Sequence, residues 1–242
     1  MRKLIFITVL CAFVAAPVMA DPYGTAQLKY RGYNDLPKLW KATTVKDTNH
    51  GINQSSIVTG IYRLDMKDYA DSATNPVDLT PSEIALLNGK VDSFCTDIID
   101  TAYSSYSIYD VSPLAETPDA AGGPMGATKA RDLAELLYTN WTPILSAQTA
   151  ANIQAAVWEI VNEDSSTYNV STGNLTVSGG GVVSAANTLL GALTGVGDYT
   201  GMFVGVSSDS HQDYVVKVPV PGAILLGLLG LGVAGLKLRK FA

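Results

Sequence analysis

The chain has 242 residues, with 16 basic and 22 acidic side chains, two histidines and two cysteines, for a formal net charge of −6. Two of the basic residues fall in the first three positions and three in the last six, so the body between carries 11 basic against 22 acidic residues, net −11. That balance argues against nucleic acid and anionic membrane surfaces as partners, and so few His and Cys, without any cluster, leave no expected metal site or cofactor.

In chain order, Met1-Arg2-Lys3, the apolar run Leu4 to Val14 and Pro17-Val18-Met19-Ala20 predict a secretory signal peptide over 1–20, cut after Ala20 and taking Cys11 with it. The body, 21–217, has the length of one extracellular domain. Ala26 to Tyr33 alternates as a strand that Trp40 anchors, and Lys46 to Gly51 is polar and turn-rich, hence a loop. Ser56 to Met66 alternates as a half-buried strand, followed by a loop through Asn75-Pro76. Thr80-Pro81-Ser82-Glu83 is a capping box with Pro in the first helical position, opening a short helix that Gly89 ends. Val91 to Asp100 reads as the strand bearing Cys95.

Tyr103, Tyr106 and Tyr109 lie in a Ser-rich segment and read as a partly exposed aromatic surface, or as ligand contacts. Ser112 to Gly126, rich in Pro, Gly and Ala, is a loop. Ala127 to Asn140 is a helix with Ala130, Leu133, Leu136, Leu137 and Trp141 on one face. Ser146 caps a second helix that runs to about Asn162, with Ile153, Val157 and Ile160 as its core stripe. Thr167–Ser171 and Leu175–Ser178 flank Thr172-Gly173-Asn174 as a hairpin. Gly179-Gly180-Gly181 leads into a small-residue helix through Leu193, and Met202–Val206 and Tyr214–Val218 are closing strands. The class is α+β: a sandwich- or barrel-like set of strands packed with a mid-chain helical subdomain.

The C-terminal stretch, 218–242, is tripartite: Val218-Pro219-Val220-Pro221-Gly222, an apolar run from Ala223 to Leu236, then Lys237-Leu238-Arg239-Lys240. With its Pro-rich flank and a snorkelling Lys237, the run is long enough for a transmembrane helix, and the basic end keeps the body outside. The arrangement resembles the PEP-CTERM signal that an exosortase processes in Gram-negative bacteria, although Pro-Val-Pro stands here where Pro-Glu-Pro is usual. A plain type I membrane anchor is the alternative.

Chemistry concentrates on two short stretches. Cys95, in Phe94-Cys95-Thr96-Asp97, is the lone cysteine of the exported body and cannot make an intramolecular disulfide. Gln154 and Trp158 stand four apart on one helical stripe. On spacing alone Cys95 reads as a buried inert thiol and Gln154 as a helix-surface amide. Taken together and in this order, Phe94-Cys95-Thr96-Asp97 and Gln154-Ala155-Ala156-Val157-Trp158 resemble the Cys-Gln thioester domain of bacterial surface proteins.

That resemblance implies an internal thioester between Cys95 and Gln154, with Trp158 and Phe94 shielding it from water. Asp97 would accept a proton or hold a backbone amide. The bond would be used once, for covalent attachment to an amine or hydroxyl on a protein or polysaccharide, so no turnover enzyme is expected. Partners would be that target, an exosortase-like processing enzyme and the membrane at the C-terminus, with the protein ending on the cell surface or in the extracellular matrix. A cysteine enzyme would need a histidine base, and His50 and His211 both lie in polar, loop-like contexts. A matrix or structural protein without covalent chemistry would need only the sorting signal.

Overall fold

The structure is a computed structural model and describes residues 23–32, 38–71, 88–119, 123–164 and 167–218. Among these residues the strands are β1 (Gly24–Tyr30), β2 (Trp40–Asp47), β3 (Ile52–Gly60), β4 (Tyr62–Asp71), β5 (Gly89–Cys95), β6 (Ser107–Pro113), the two-residue β7 (Pro118–Asp119) and β8 (Gly123–Pro124), β9 (Leu175–Ser178), β10 (Phe203–Ser208) and β11 (His211–Lys217). The helices are α1 (Gly126–Asn140), α2 (Ala147–Asn162) and α3 (Val183–Gly191). Six strands close into an antiparallel barrel in the order β1-β4-β5-β11-β10-β6, and β3-β2-β9 form a second sheet. The class is α+β.

Period-two patterning builds the barrel wall. On β4, Tyr62, Leu64 and Met66 are buried, while Arg63, Asp65 and Lys67 alternate with them on the other face. Outside the wall, Asp65 pairs with Lys29 at 3.5 Å and Arg31 at 3.4 Å, and Arg63 with Asp92 at 3.3 Å. Inside, tilted tyrosine pairs fill the lumen: Tyr30 with Tyr62, Tyr62 with Tyr214, and Tyr109 with Tyr214.

Helix α2 is the centre of the other half. It touches β2, β3, β5, β9, α1 and α3, and every residue from Ile153 to Asn162 is buried. A helix covered on all sides belongs to the interior rather than to an amphipathic surface. Ser146 caps it as expected, its hydroxyl accepting from the Thr149 N–H at 3.0 Å. Helix α1 buries Ala130, Leu133, Leu136 and Leu137 of the predicted face, while Trp141, also expected on it, follows the helix end and is half-buried.

Several boundaries differ from the sequence expectations. The strand expected over Ser56–Met66 is two strands that part after Gly60, whose φ is +155° and where a Cβ would sit 2.1 Å from the Leu39 carbonyl oxygen. Trp40 to Asp47 is a strand in its own right, paired with β3 across a turn at Thr48–Gly51. The Val91–Asp100 strand stops at Cys95. The loop expected over Ser112–Gly126 contains the end of β6, a 3-10 turn at Leu114–Glu116 and the β7–β8 pair.

The hairpin expected around Thr172-Gly173-Asn174 forms only in part: the Val177 N–H donates to the Val170 carbonyl at 2.7 Å, but no strand spans Thr167–Ser171. β9 pairs with β2 instead, because the preceding turn is tied to α2 by buried carboxylates: Glu159 accepts the Asn169 N–H at 2.6 Å, and Glu163 accepts the Asn174 N–H at 2.7 Å. Of the three tyrosines, Tyr103 and Tyr106 are exposed whereas Tyr109 is buried in the barrel. The Thr80–Gly89 helix, the signal peptide and the C-terminal transmembrane helix fall largely or wholly outside the described residues. Among the described residues no helix is long and apolar enough to cross a membrane.

Candidate functional site

β5 pairs with β4 only as far as Ser93, whose hydroxyl donates to the Tyr62 carbonyl at 2.8 Å. Continued register would set Gly60 opposite Cys95, but there the chain has turned into β3, and Gly60 pairs with Trp40. On its other side Cys95 pairs with Tyr214 of β11. The backbone N–H and C=O of Cys95 therefore face a position where no strand continues, and buried backbone groups require partners.

The Gln154 carboxamide supplies both. The Cys95 N–H donates to Oε1 at 2.8 Å, and Nε2 donates to the Cys95 carbonyl at 2.7 Å. A primary amide presents an acceptor and a donor side by side, so it stands in for the peptide group of the missing strand. Both residues are fully buried.

Gln154, Trp158 and Asn162 recur every four residues and form one stripe of α2. Asn162 Nδ2 donates to the Thr96 carbonyl at 3.4 Å and to the Trp158 carbonyl at 3.0 Å. The stripe thus runs along Cys95 and Thr96, with the indole of Trp158 between its two anchored neighbours. Trp158 is 1% exposed, and its Nε1 has no hydrogen-bond partner of good geometry. Phe94 is fully buried and packs edge-on against Trp141 at 4.9 Å. Strand alternation turns it to the face opposite Cys95, so it packs the barrel wall rather than the sulfur.

Past Cys95 the chain bends sharply. The Asp97 carboxylate accepts the N–H groups of Ile99 at 2.6 Å and Asp100 at 3.2 Å, an Asx turn that ends the strand. Of the two roles considered for Asp97, holding backbone amides is the one seen. The Asp97 carbonyl accepts from the Cys95 thiol and from Gln212 Nε2 at 3.4 Å. Gln212, Asp213 and Asn162 join the site without having been singled out in the sequence. Asn162 had a readable signal, the four-residue recurrence after Gln154 and Trp158; Gln212 and Asp213 had none, since they arrive through strand pairing.

Electrostatics here disfavour negative charge. Burial pushes the Cys95 thiol well above its ordinary value and the Asp97 carboxylate adds to the rise, while the nearby Trp158 side chain acts against it. Burial raises Asp97 to about 6, with Asp100 adding to the rise and the N–H groups it accepts opposing it. Burial likewise raises Asp213 to about 8, the carboxylates of Asp97, Asp100 and Asp209 reinforcing it.

A cleft of about 300 Å³ runs from outside as far as Trp158 and Gln212, and neither Cys95 nor Gln154 lines it. Tyr62 and Ser56 form one wall, Ile98 and Asp100 another, and Gln212 and the edge of Trp158 close it. The two histidines are engaged elsewhere. His50 Nδ1 meets Asp47 at 2.6 Å, and His211 meets the hydroxyls of Ser107 at 3.0 Å and Ser210 at 2.7 Å.

Compared with protein families, with curated proteins and with solved structures, the chain matches none of them.

Proposed function

We propose that this is an exported surface or matrix protein whose Cys95 and Gln154 form an internal thioester for single-use covalent attachment to an amine or hydroxyl on another surface. The observation that carries the reading is the two-point grip of the Gln154 carboxamide on the backbone of Cys95, in a spot closed to solvent. Holding the amide against the residue that bears the nucleophile replaces a bimolecular encounter by an intramolecular one, which is worth many orders of magnitude in effective concentration.

The same hydrogen bonds suit the chemistry. Cys95 Sγ attacks the Gln154 side-chain carbonyl carbon, and the charge that builds on Oε1 is met by the Cys95 N–H, already 2.8 Å away. The C–N bond breaks, Nε2 leaves as ammonia carrying the thiol proton, and a C–S bond remains. In this reading an incoming amine approaches by the cleft that Trp158 lines, and Trp158 must yield for it to reach the carbonyl. It forms an amide, and Cys95 is released as a thiol. Burial of Trp158 excludes water from a bond that is weaker than an amide.

In this reading residues 1–20 are a leader, 21–217 the thioester-type domain and 218–242 the sorting signal, which an exosortase-like enzyme or simple membrane retention would use. The intact mass of the purified protein tests the reading. It should fall short of the sequence mass by one ammonia; methylamine should add one methylamine and free the Cys95 thiol. A protein of full mass with a titrating thiol would refute the covalent reading. One observation favours the non-covalent alternative: Gln154 already satisfies both orphan groups of Cys95 as a neutral structural amide.

A further inference from the structure

Trp158 carries a donor that the fold leaves unused. A buried polar group without a partner is costly, on the order of 1–3 kcal/mol, and such groups cluster where chemistry needs them. The indole N–H is buried, its Nε1 lacks a partner, and it lies on the stripe whose neighbours Gln154 and Asn162 are bonded to Cys95 and Thr96. The Cys95 thiol is close enough for the indole to act on it. From this we infer that the Trp158 indole N–H is a hydrogen-bond donor to Cys95 Sγ that stabilises the thiolate as it attacks Gln154 and as it later departs. The inference rests on the thioester reading. It adds a catalytic role to a side chain otherwise only a shield.

The need for such a donor follows from the surroundings. Burial and the Asp97 carboxylate both oppose a negative sulfur, and of the side chains near it the one acting in the other direction is Trp158. In aminolysis the amine nitrogen bonds to the carbonyl carbon, the C–S bond breaks, and the electron pair stays on sulfur. The proton lost by the amine ends on Cys95. A donor on sulfur lowers the cost of the moment before that proton arrives. By microscopic reversibility the same N–H assists the formation step, in which ammonia departs.

The test uses the full-length protein with Trp158→Phe, which keeps an aromatic ring at the site but has no N–H. Reaction with methylamine, and hydrolysis without it, are followed by intact mass. If the donor acts on sulfur, both rates fall by about ten- to a hundredfold, the range expected for one hydrogen bond to a charged group. A shield alone predicts the opposite sign, since a smaller ring admits more water and amine; unchanged or faster rates would overturn the inference. Should the Phe variant carry no thioester, its free Cys95 is compared with the thiol that methylamine releases in the wild type. Better access could only speed alkylation by iodoacetamide, so slower alkylation of the variant supports the donor and equal or faster alkylation refutes it. A wild type of full mass would end the thioester reading by itself, and the same alkylation comparison would still decide the role of the N–H.

Discussion

Asp213→Asn should make the protein more stable at neutral pH, and the gain should be legible as a loss of pH dependence. Asp213 is 4% exposed and its carboxyl is raised from 3.8 to about 8, chiefly by burial. A carboxyl raised in this way favours the folded state in full only below about pH 3.8, where both states hold the proton. As pH climbs, the unfolded chain ionises first, and stability falls until the folded value near 8 is passed. Each pH unit in that window costs about 1.4 kcal/mol, so Asp213 removes about 3 kcal/mol between pH 5 and pH 7. Asp97, raised to about 6, removes about 1 kcal/mol more over the lower half of the same window. Asparagine keeps the acceptor that Asp213 offers to the Ser208 N–H at 2.8 Å and cannot ionise. Urea unfolding at pH 5, 6 and 7 should therefore show the wild type losing about 3 kcal/mol more than the variant across that range. A flat wild-type profile, or a variant that follows the wild type, would show that Asp213 is not held protonated and would remove the electrostatic picture of the site.

Gln154→Ala should cost more stability than Cys95→Ala, by about 2–4 kcal/mol in chemical denaturation, because it strips the partner from both the N–H and the C=O of Cys95 in a buried place; equal losses would mean that the carboxamide is not needed to close the strand end. Gly205→Ala should be severely destabilising, about 3 kcal/mol or more, since its Cβ would fall 1.5 Å from Thr117 Oγ1. Adding Thr117→Gly should recover part of that loss in thermal melts, and a simple sum of the two single effects would argue against the contact.

The parts of the fold that were legible in the sequence are those whose signals are local. Helices α1 and α2 appear with their apolar faces, and α2 with its cap, because a 3.6-residue period and Ser146 are written within a few residues. β10 and β11 appear because alternation and flanking turns are equally local. What was misread depends on distant partners. Thr167–Ser171 looks like half of a hairpin, but Glu159 on α2 holds Asn169, Glu163 at the helix end holds Asn174, and β9 pairs with β2, more than a hundred residues earlier. Gly60 looks like one glycine in a long strand; only the approach of Leu39 shows it to be the point where the barrel and the second sheet part. At the site, Cys95, Gln154 and Trp158 could be named because their spacing matched two motifs, whereas Gln212 and Asp213 come to it through the β5–β11 ladder.

The parting of the two sheets at Gly60 is also what makes the site. Had β4 continued, its backbone would occupy the Cys95 N–H and C=O, and α2 would have no reason to offer a carboxamide there. By turning into β3, the chain leaves one strand end open beneath a wholly buried helix, and that helix completes the ladder with a side chain. A peptide group in that position would be inert, because its carbonyl is part of the main chain and cannot be exchanged without cutting it. A glutamine amide in the same position has a nitrogen that can leave. The geometry that satisfies a broken sheet edge also brings a replaceable amide to the residue that bears the thiol, and in the proposed reaction the Cys95 N–H would already be on the oxygen that accepts charge. No histidine bonded to the sulfur takes part, and the surroundings hold the thiol in its neutral form. Under the thioester proposal such a site would suit a reaction run once during maturation and once on contact, where slow chemistry in a closed environment is compatible with function.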